Sequence, residues 1–143
     1  MDAIMKYMTR IHRCFRLWQS DQMNELSGIE QNYLFHICRK PGISQEQLSE
    51  HIMVNKSNVA SKLSGLENNG WITRATSKTD KRIYQIYPTE KALEVFPEIK
   101  QLMENWNELI LEELSEEEKE TLFQILPKIS KKAKQLMESR DHK

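Results

Sequence analysis

Ser57, Asn58, Ser61 and Lys62 recur at spacings that put them on one face of a helix. Hydroxyl, carboxamide and ammonium groups in that arrangement make hydrogen bonds and ion pairs but break no covalent bonds. They match the donors and acceptors that base edges and phosphates present in a DNA groove. Farther along lies Ser77-Lys78-Thr79-Asp80-Lys81-Arg82, a polar, basic run between two segments rich in β-branched and aromatic residues. Cations at such a tip can ride a phosphate backbone or enter a minor groove. A solvated helix face and a surface Asp80–Arg82 ion pair would use the same residue types.

Bond-making sets are missing from the sequence. It has no glycine-rich phosphate loop, no GxSxG, and no paired carboxylates other than on solvated helix faces. His12, His36, His51 and His142 are scattered, without HxxxH, and Cys14 and Cys38 form no CxxC. The expectation is therefore a non-enzyme with no cofactor and no metal.

The elements that must position these residues follow from periodicity and caps. Ile4, Met8, Ile11, Phe15 and Trp18 step by 4, 3, 4, 3, a heptad seam on a first helix. Such a seam needs a second helix, in this chain or in a partner. A second helix fits Gly28 to about Arg39 and ends at Pro41-Gly42. Ile43 offers a one-residue strand contact. Ser44-Gln45-Glu46-Gln47 is a capping box that opens a short helix to about His51, with Ile43 and Leu48 as a hydrophobic staple. Ile52-Met53-Val54 form a turn, and Asn55 caps the next helix, over 55–69. Val59, Leu63 and Leu66 mark its buried face, and Gly70 suits a left-handed helix end. Two strands, 71–76 and 83–87, then flank the basic tip, and Thr89 can cap the helix after them. Leu93, Phe96, Ile99, Met103, Trp106, Ile110 and Leu114 continue a helical seam. Ser115-Glu116-Glu117-Glu118 starts a last helix with Leu122, Ile125, Ile129, Ala133 and Leu136 on one side. Kinks are expected near Pro97 and Pro127.

A short helix, a turn, a helix with a polar outer face and a basic hairpin, in that order, make a winged helix-turn-helix. The fold expected is mainly α with a small β-hairpin, a single domain over 1–143. Residues 28–88 form the winged lobe (wing 71–88), and long helices in 1–27 and 89–143 form a dimerisation lobe.

Val54-Asn55-Lys56-Ser57-Asn58-Val59, with Leu63, Leu66, Glu67, Gly70, Trp71, Ile72 and Arg74, resembles the recognition helix and first wing strand of the MarR (multiple antibiotic resistance regulator) family. Asp80-Lys81-Arg82 is similar to that family's Asp-x-Arg wing signature. Thr89-Glu90-Lys91 is similar to its opening of the long helix after the wing. The resemblance spans nearly the whole chain. It implies that Arg82 enters the minor groove with Asp80 bracing it. It also implies that Arg74 at the wing base contacts phosphate or the Asp80 carboxylate, and that Ser57, Asn58, Ser61 and Lys62 face the major groove. Lys56, Lys78 and Lys81 complete the DNA-contacting set. Ile4, Met8, Ile11 and Phe15 with Leu122, Ile125, Ile129 and Leu136 would form a homodimer interface. Two departures stand out: Ala92 replaces a frequent glycine, and Gly65 lies inside the recognition helix, either for a close backbone approach or merely tolerated.

Charge supports the same division. The chain is neutral overall, but residues 39–88 carry eight basic against four acidic groups, and 89–126 carry three against eleven. The first could meet a polyanion and the second would be repelled by one. No apolar run approaches the roughly 20 residues of a membrane span, and the start lacks a signal-peptide core. A cytoplasmic regulator of double-stranded DNA is expected, acting as a repressor and released by a small-molecule effector or an oxidant. The aromatics Tyr7, Trp18, Tyr33, Phe35, Trp71 and Trp106 either line an effector cavity or fill the core. Cys14, beside Arg13 and Arg16, is a redox candidate or a structural or incidental thiol. Rival readings are a winged helix used for protein contact, a helical small-molecule binder without specific DNA binding, and a winged-helix regulator of another family.

Overall fold

The computed structural model describes residues 3–52, 54 and 56–141. Met53 and the expected cap Asn55 lie outside the described residues. The elements run α1 (Ile4–Gln22), α2 (Gly28–Arg39), β1 (Ile43–Ser44), α3 (Gln45–Ile52), α4 (Lys56–Asn68), β2 (Ile72–Thr76), β3 (Tyr84–Pro88), α5 (Glu90–Ile110) and α6 (Glu116–Asp141). The chain divides into two compact units, residues 1–104 and 105–143.

The first unit holds the core. Leu34 and Ile37 of α2, Leu48 of α3, Val59, Leu63 and Leu66 of α4, Ile86 of β3 and Ala92 and Ile99 of α5 are all fully buried. Around them α2, α3 and α4 pack on a three-stranded antiparallel sheet of order β1-β3-β2. The expected hairpin is thus joined by a third strand: Ile43 pairs with Ile86 and Ser44 with Gln85. Two residues are too short to show a period-2 pattern, so the sequence suggests a single contact only.

Local chemistry places the helix ends. Ser44 and Gln47 make the expected capping box, with Ser44 Oγ accepting from the Gln47 amide at 3.1 Å and Gln47 Oε1 accepting from the Ser44 amide at 3.2 Å. Ser27 and Glu30 make another at the start of α2; its S-x-x-E signal stands in the sequence, but placing α2 by its apolar period alone makes no use of it. Gly70, at φ 81°, closes α4. Its amide reaches the Glu67 carbonyl and the Trp71 amide reaches the Leu66 carbonyl, the two bonds of a Schellman motif. Gly65 is merely tolerated, since no protein atom lies within 4 Å of a side chain added there.

On α5 the buried positions are Ala92, Ile99 and Leu102, whereas Leu93 is exposed. A seam that includes Leu93 therefore misplaces the inward face by one residue at its start. Both α5 and α6 run unbroken through Pro97 and Pro127. The second unit contains the end of α5 and α6. Ser115 and Glu118 cap α6 as expected. None of the α6 side chains described is buried.

α1 meets α2 at Gly28. A Cβ there would lie 2.5 Å from the Arg16 carbonyl oxygen, a backbone atom that cannot swing away. Ser20 Oγ accepts from the Gly28 amide at 2.9 Å, which holds the close approach. Alanine favours a helix over glycine by about 1 kcal/mol, but overpacking typically costs about 1–3 kcal/mol. Gly28→Ala is therefore expected to lower the urea midpoint, and a raised midpoint would contradict this joint.

Candidate nucleic-acid interface

Burial of Val59, Leu63 and Leu66 turns α4 so that Ser57, Asn58 and Ser61 are exposed and Lys62 is half-exposed. These four expected residues thus share one outward face. Lys56 opens the helix, its ammonium 3.6 Å from Glu46 on α3, with both side chains largely in solvent.

The wing carries a hydrogen-bonded tip on an exposed loop. The Ser77 amide donates to the Ile83 carbonyl at 2.8 Å, and the Ile83 amide to the Asp80 carbonyl at 3.0 Å. Asp80 grips Arg82 by a fork, with Nε to Oδ1 and a terminal guanidinium nitrogen to Oδ2 both at 3.1 Å, while Oδ1 also takes the Arg82 amide at 3.0 Å. These bonds hold the Asp80 carboxyl below the usual range. The Arg82 side chain remains 90% exposed. A guanidinium aimed by its own neighbour, yet open to solvent, is prepared to meet an outside anion. Lys78 and Lys81 stand exposed beside it.

Arg74 is placed differently from expectation. Its guanidinium lies 3.0 Å from the Glu67 carboxylate and 5.9 Å from the Tyr84 ring centroid, so its partner is Glu67, not Asp80. Period 2 explains this. Arg74 stands opposite Ile86 on the strand face that also buries Ile72, the face turned toward the helices. The family-like Thr89-Glu90-Lys91 has a visible task at the wing base. Thr89 Oγ1 donates to the Gly70 carbonyl at 2.7 Å, and Lys91 reaches the Asn69 carbonyl at 2.9 Å while lying 4.0 Å above the Trp71 ring.

Between α3, α4 and the wing runs a cleft of about 680 Å³, bordered by Ser44, Gln47, Lys56, Arg74, Arg82 and Tyr84. A second cavity, about 410 Å³, lies among α1, α2 and α4, where His12, Arg16, Tyr33, Asn58, Ser61 and Lys62 border it. Of the aromatics considered for such a cavity, Tyr33 borders this one. Trp71 is core, Trp18 and Phe35 pack against the core, and Tyr7 is exposed. Cys14 is exposed in the single chain. Cys38 is the buried thiol, its pKa pushed up to about 11 by burial. Among the described residues no group of three or more His, Cys, Asp or Glu could hold a metal ion. No helix described is long and apolar enough to cross a membrane.

One contact had no local signal in the sequence. His36 on α2 and His51 on α3 stack, ring centroids 5.7 Å apart and planes within 13°. Burial pushes the His36 pKa down, and His51, Arg39 and Arg16 push it the same way. The unfolded chain therefore takes up the proton more readily than the native one. Stability supplied by neutral His36 is whole above the ordinary value of about 6.5 and is lost as pH falls below it, down through the lowered native value. Between pH 7.5 and 5.5 the urea midpoint of the protein is expected to fall more than that of His36→Gln. Parallel profiles would contradict this.

Comparison with known proteins places this geometry. A family model described as MarR family matches residues 30–84. The HTH-type transcriptional regulator BilQ of Clostridium symbiosum (strain WAL-14163) is 30% identical over 135 residues, 92% of this chain and 93% of that one. YybA of Bacillus subtilis (strain 168), described as an uncharacterized HTH-type transcriptional regulator, is 35% identical over 99 residues, 69% of this chain and 66% of that one. The crystal structure of the transcriptional regulator SlyA superposes with a TM-score of 0.88 at 32% identity, over 96% of this chain and 98% of that one. A MarR family regulator from Listeria monocytogenes, crystallised with a 26mer DNA, gives a TM-score of 0.83 at 27% identity, over 92% of this chain and 89% of that one.

Proposed function

The chain belongs to the MarR family of transcriptional regulators, and from that premise we propose that it acts in the cytosol as a homodimeric repressor that reads a pseudo-palindromic operator. The carrying observation is that burial of the inner side of α4 turns Ser57, Asn58, Ser61 and Lys62 outward, while Lys56 and Ala60 of the same helix border one basic cleft together with Arg82 of the wing. In this reading Ser57, Asn58, Ser61 and Lys62 meet base edges in the major groove, and Arg82 meets the minor groove next to it. Lys56, Lys78 and Lys81 lie on phosphates.

Dimerisation is supported by apolar surface that each unit leaves uncovered. On α1, Ile4 and Ile11 are 45% exposed and Met8 and Phe15 half-buried; on α6, Ile125, Ile129 and Leu136 are exposed and Leu122 half-buried. Apolar stripes of this kind mark protein contact sites. A twofold axis would set two recognition helices about one DNA turn apart, and binding there would block promoter access.

The 410 Å³ cavity gives a small effector a place to bind, and its cations Arg16 and Lys62 favour an anionic one. Such a ligand releases DNA only through its unequal affinity for the DNA-competent and incompetent spacings of the two lobes. Oxidation of exposed Cys14 is the alternative trigger.

The test is selection from a pool of random duplex DNA at two salt concentrations, together with the mass in solution. An enriched palindrome, a dimeric mass and an affinity that falls with salt are expected. Arg82→Ala should weaken binding by roughly 5- to 150-fold with the dimer intact, whereas Asn58→Ala and Ser61→Ala should shift sequence preference more than affinity. A monomer, or a pool with no enriched sequence, would favour a protein-contact winged helix. Normal binding by Arg82→Ala would overturn the wing assignment.

A further inference from the structure

The wing has to present Arg82 at a fixed angle to α4, and a hairpin has little intrinsic stiffness to do so. From Arg74 to the tip the chain spans at most about 20 Å, so a tilt of roughly 10° at the base displaces the tip by about 3 Å. A hydrogen bond at the groove does not survive such a shift. Something must therefore lock the base, and covalent connection through the turn at Gly70 fixes one edge only.

The Glu67–Arg74 pair is placed to do this. Glu67 sits in the last turns of α4 and Arg74 on β2, with the Schellman turn between them. The bridge is 3.0 Å long, and the side chains keep only 22% (Arg74) and 39% (Glu67) of their exposure. Arg74 reaches onward to Tyr84 of β3, its diagonal neighbour across the ladder, so that one guanidinium touches α4, β2 and β3. The pairing pulls the Glu67 carboxyl below its usual range, chiefly through the Arg74 hydrogen bond.

Resting on the DNA-binding reading, we propose that Glu67 is a positioning residue for the wing: its carboxylate holds Arg74 and so fixes the angle at which Arg82 approaches DNA. Simple electrostatics points the opposite way. Removing an acidic side chain from beside a DNA-binding face, and releasing an arginine there, should by charge alone tighten binding. Loss of the lock should weaken it.

The experiment uses the full chain with Glu67→Ala, Arg82→Ala and the double variant. Alanine is a good helix former at a partly exposed position, and thermal melts check that the variants fold. The probe is the duplex that the unaltered protein selects from the random pool. Glu67→Ala is expected to bind roughly tenfold more weakly, and Arg82→Ala to cost far less in the Glu67→Ala background than alone, the signature of one coupled unit. General weakening of the fold would instead leave the two losses multiplicative. Hydrogen exchange of the free protein should show faster amides at Ala75 and Gln85, a hydrogen-bonded pair of the β2–β3 ladder, in Glu67→Ala, with α3 and α5 unchanged. Equal or tighter binding by Glu67→Ala, or multiplicative losses, would overturn the proposal. If the unaltered protein selected no duplex, the DNA reading would fail on its own, and exchange would still decide the lock: unchanged wing amides would sink it.

Discussion

The apolar side of α4 governs everything outside it. Val59, Leu63 and Leu66 are each 0% exposed, and burial of a side chain of this size contributes about 1.5–3 kcal/mol. Turning the helix by one residue would bring those three toward water and carry polar groups into a core that offers them no partners. The rotation of α4 is therefore fixed by its inner face, and the outward position of Ser57, Asn58, Ser61 and Lys62 is a consequence. The surface proposed to read DNA is thus set by residues that would themselves never touch it.

The wing depends on the same core by a second route. Ile72 and Ile86 are buried between the strands and the helices. Strand alternation then sends Arg74, in register with Ile86, to the inner face, where Glu67 waits. Beyond that point the strands leave the core, with Thr76 and Tyr84 exposed, and the tip is ordered by its own hydrogen bonds. The molecule thus passes from apolar burial, through one half-buried ion pair, to a solvated charged loop. That gradient suits a device whose base must be stiff and whose end must trade water for phosphate.

Local patterns in the sequence announced the features that local chemistry makes. Capping boxes at Ser44 and Ser115, glycine at position 70 and the basic run 77–82 all act within a few residues of themselves. The resemblance to MarR-type regulators marked Thr89-Glu90-Lys91 as the opening of the long helix, and the structure adds that Thr89 and Lys91 latch onto Asn69, Gly70 and Trp71. Contacts joined across the fold left no such trace. The Glu67–Arg74 bridge spans a helix end and a turn, the His36–His51 stack joins two helices, and β1 is too short for any period. The seam drawn through Leu93 erred because Ala92, too small to stand out as a core residue, is the one that faces inward.

An amide chemical-shift titration of the full chain with a duplex recovered by selection tests most directly whether α4 and the wing read DNA. The perturbed amides are predicted to cluster on the outer face of α4 and in residues 77–83. Little change is expected over the acidic stretch of α6. Shifts centred elsewhere, or spread evenly with no saturation, would contradict the claim that this helix and this wing are the DNA-reading surface.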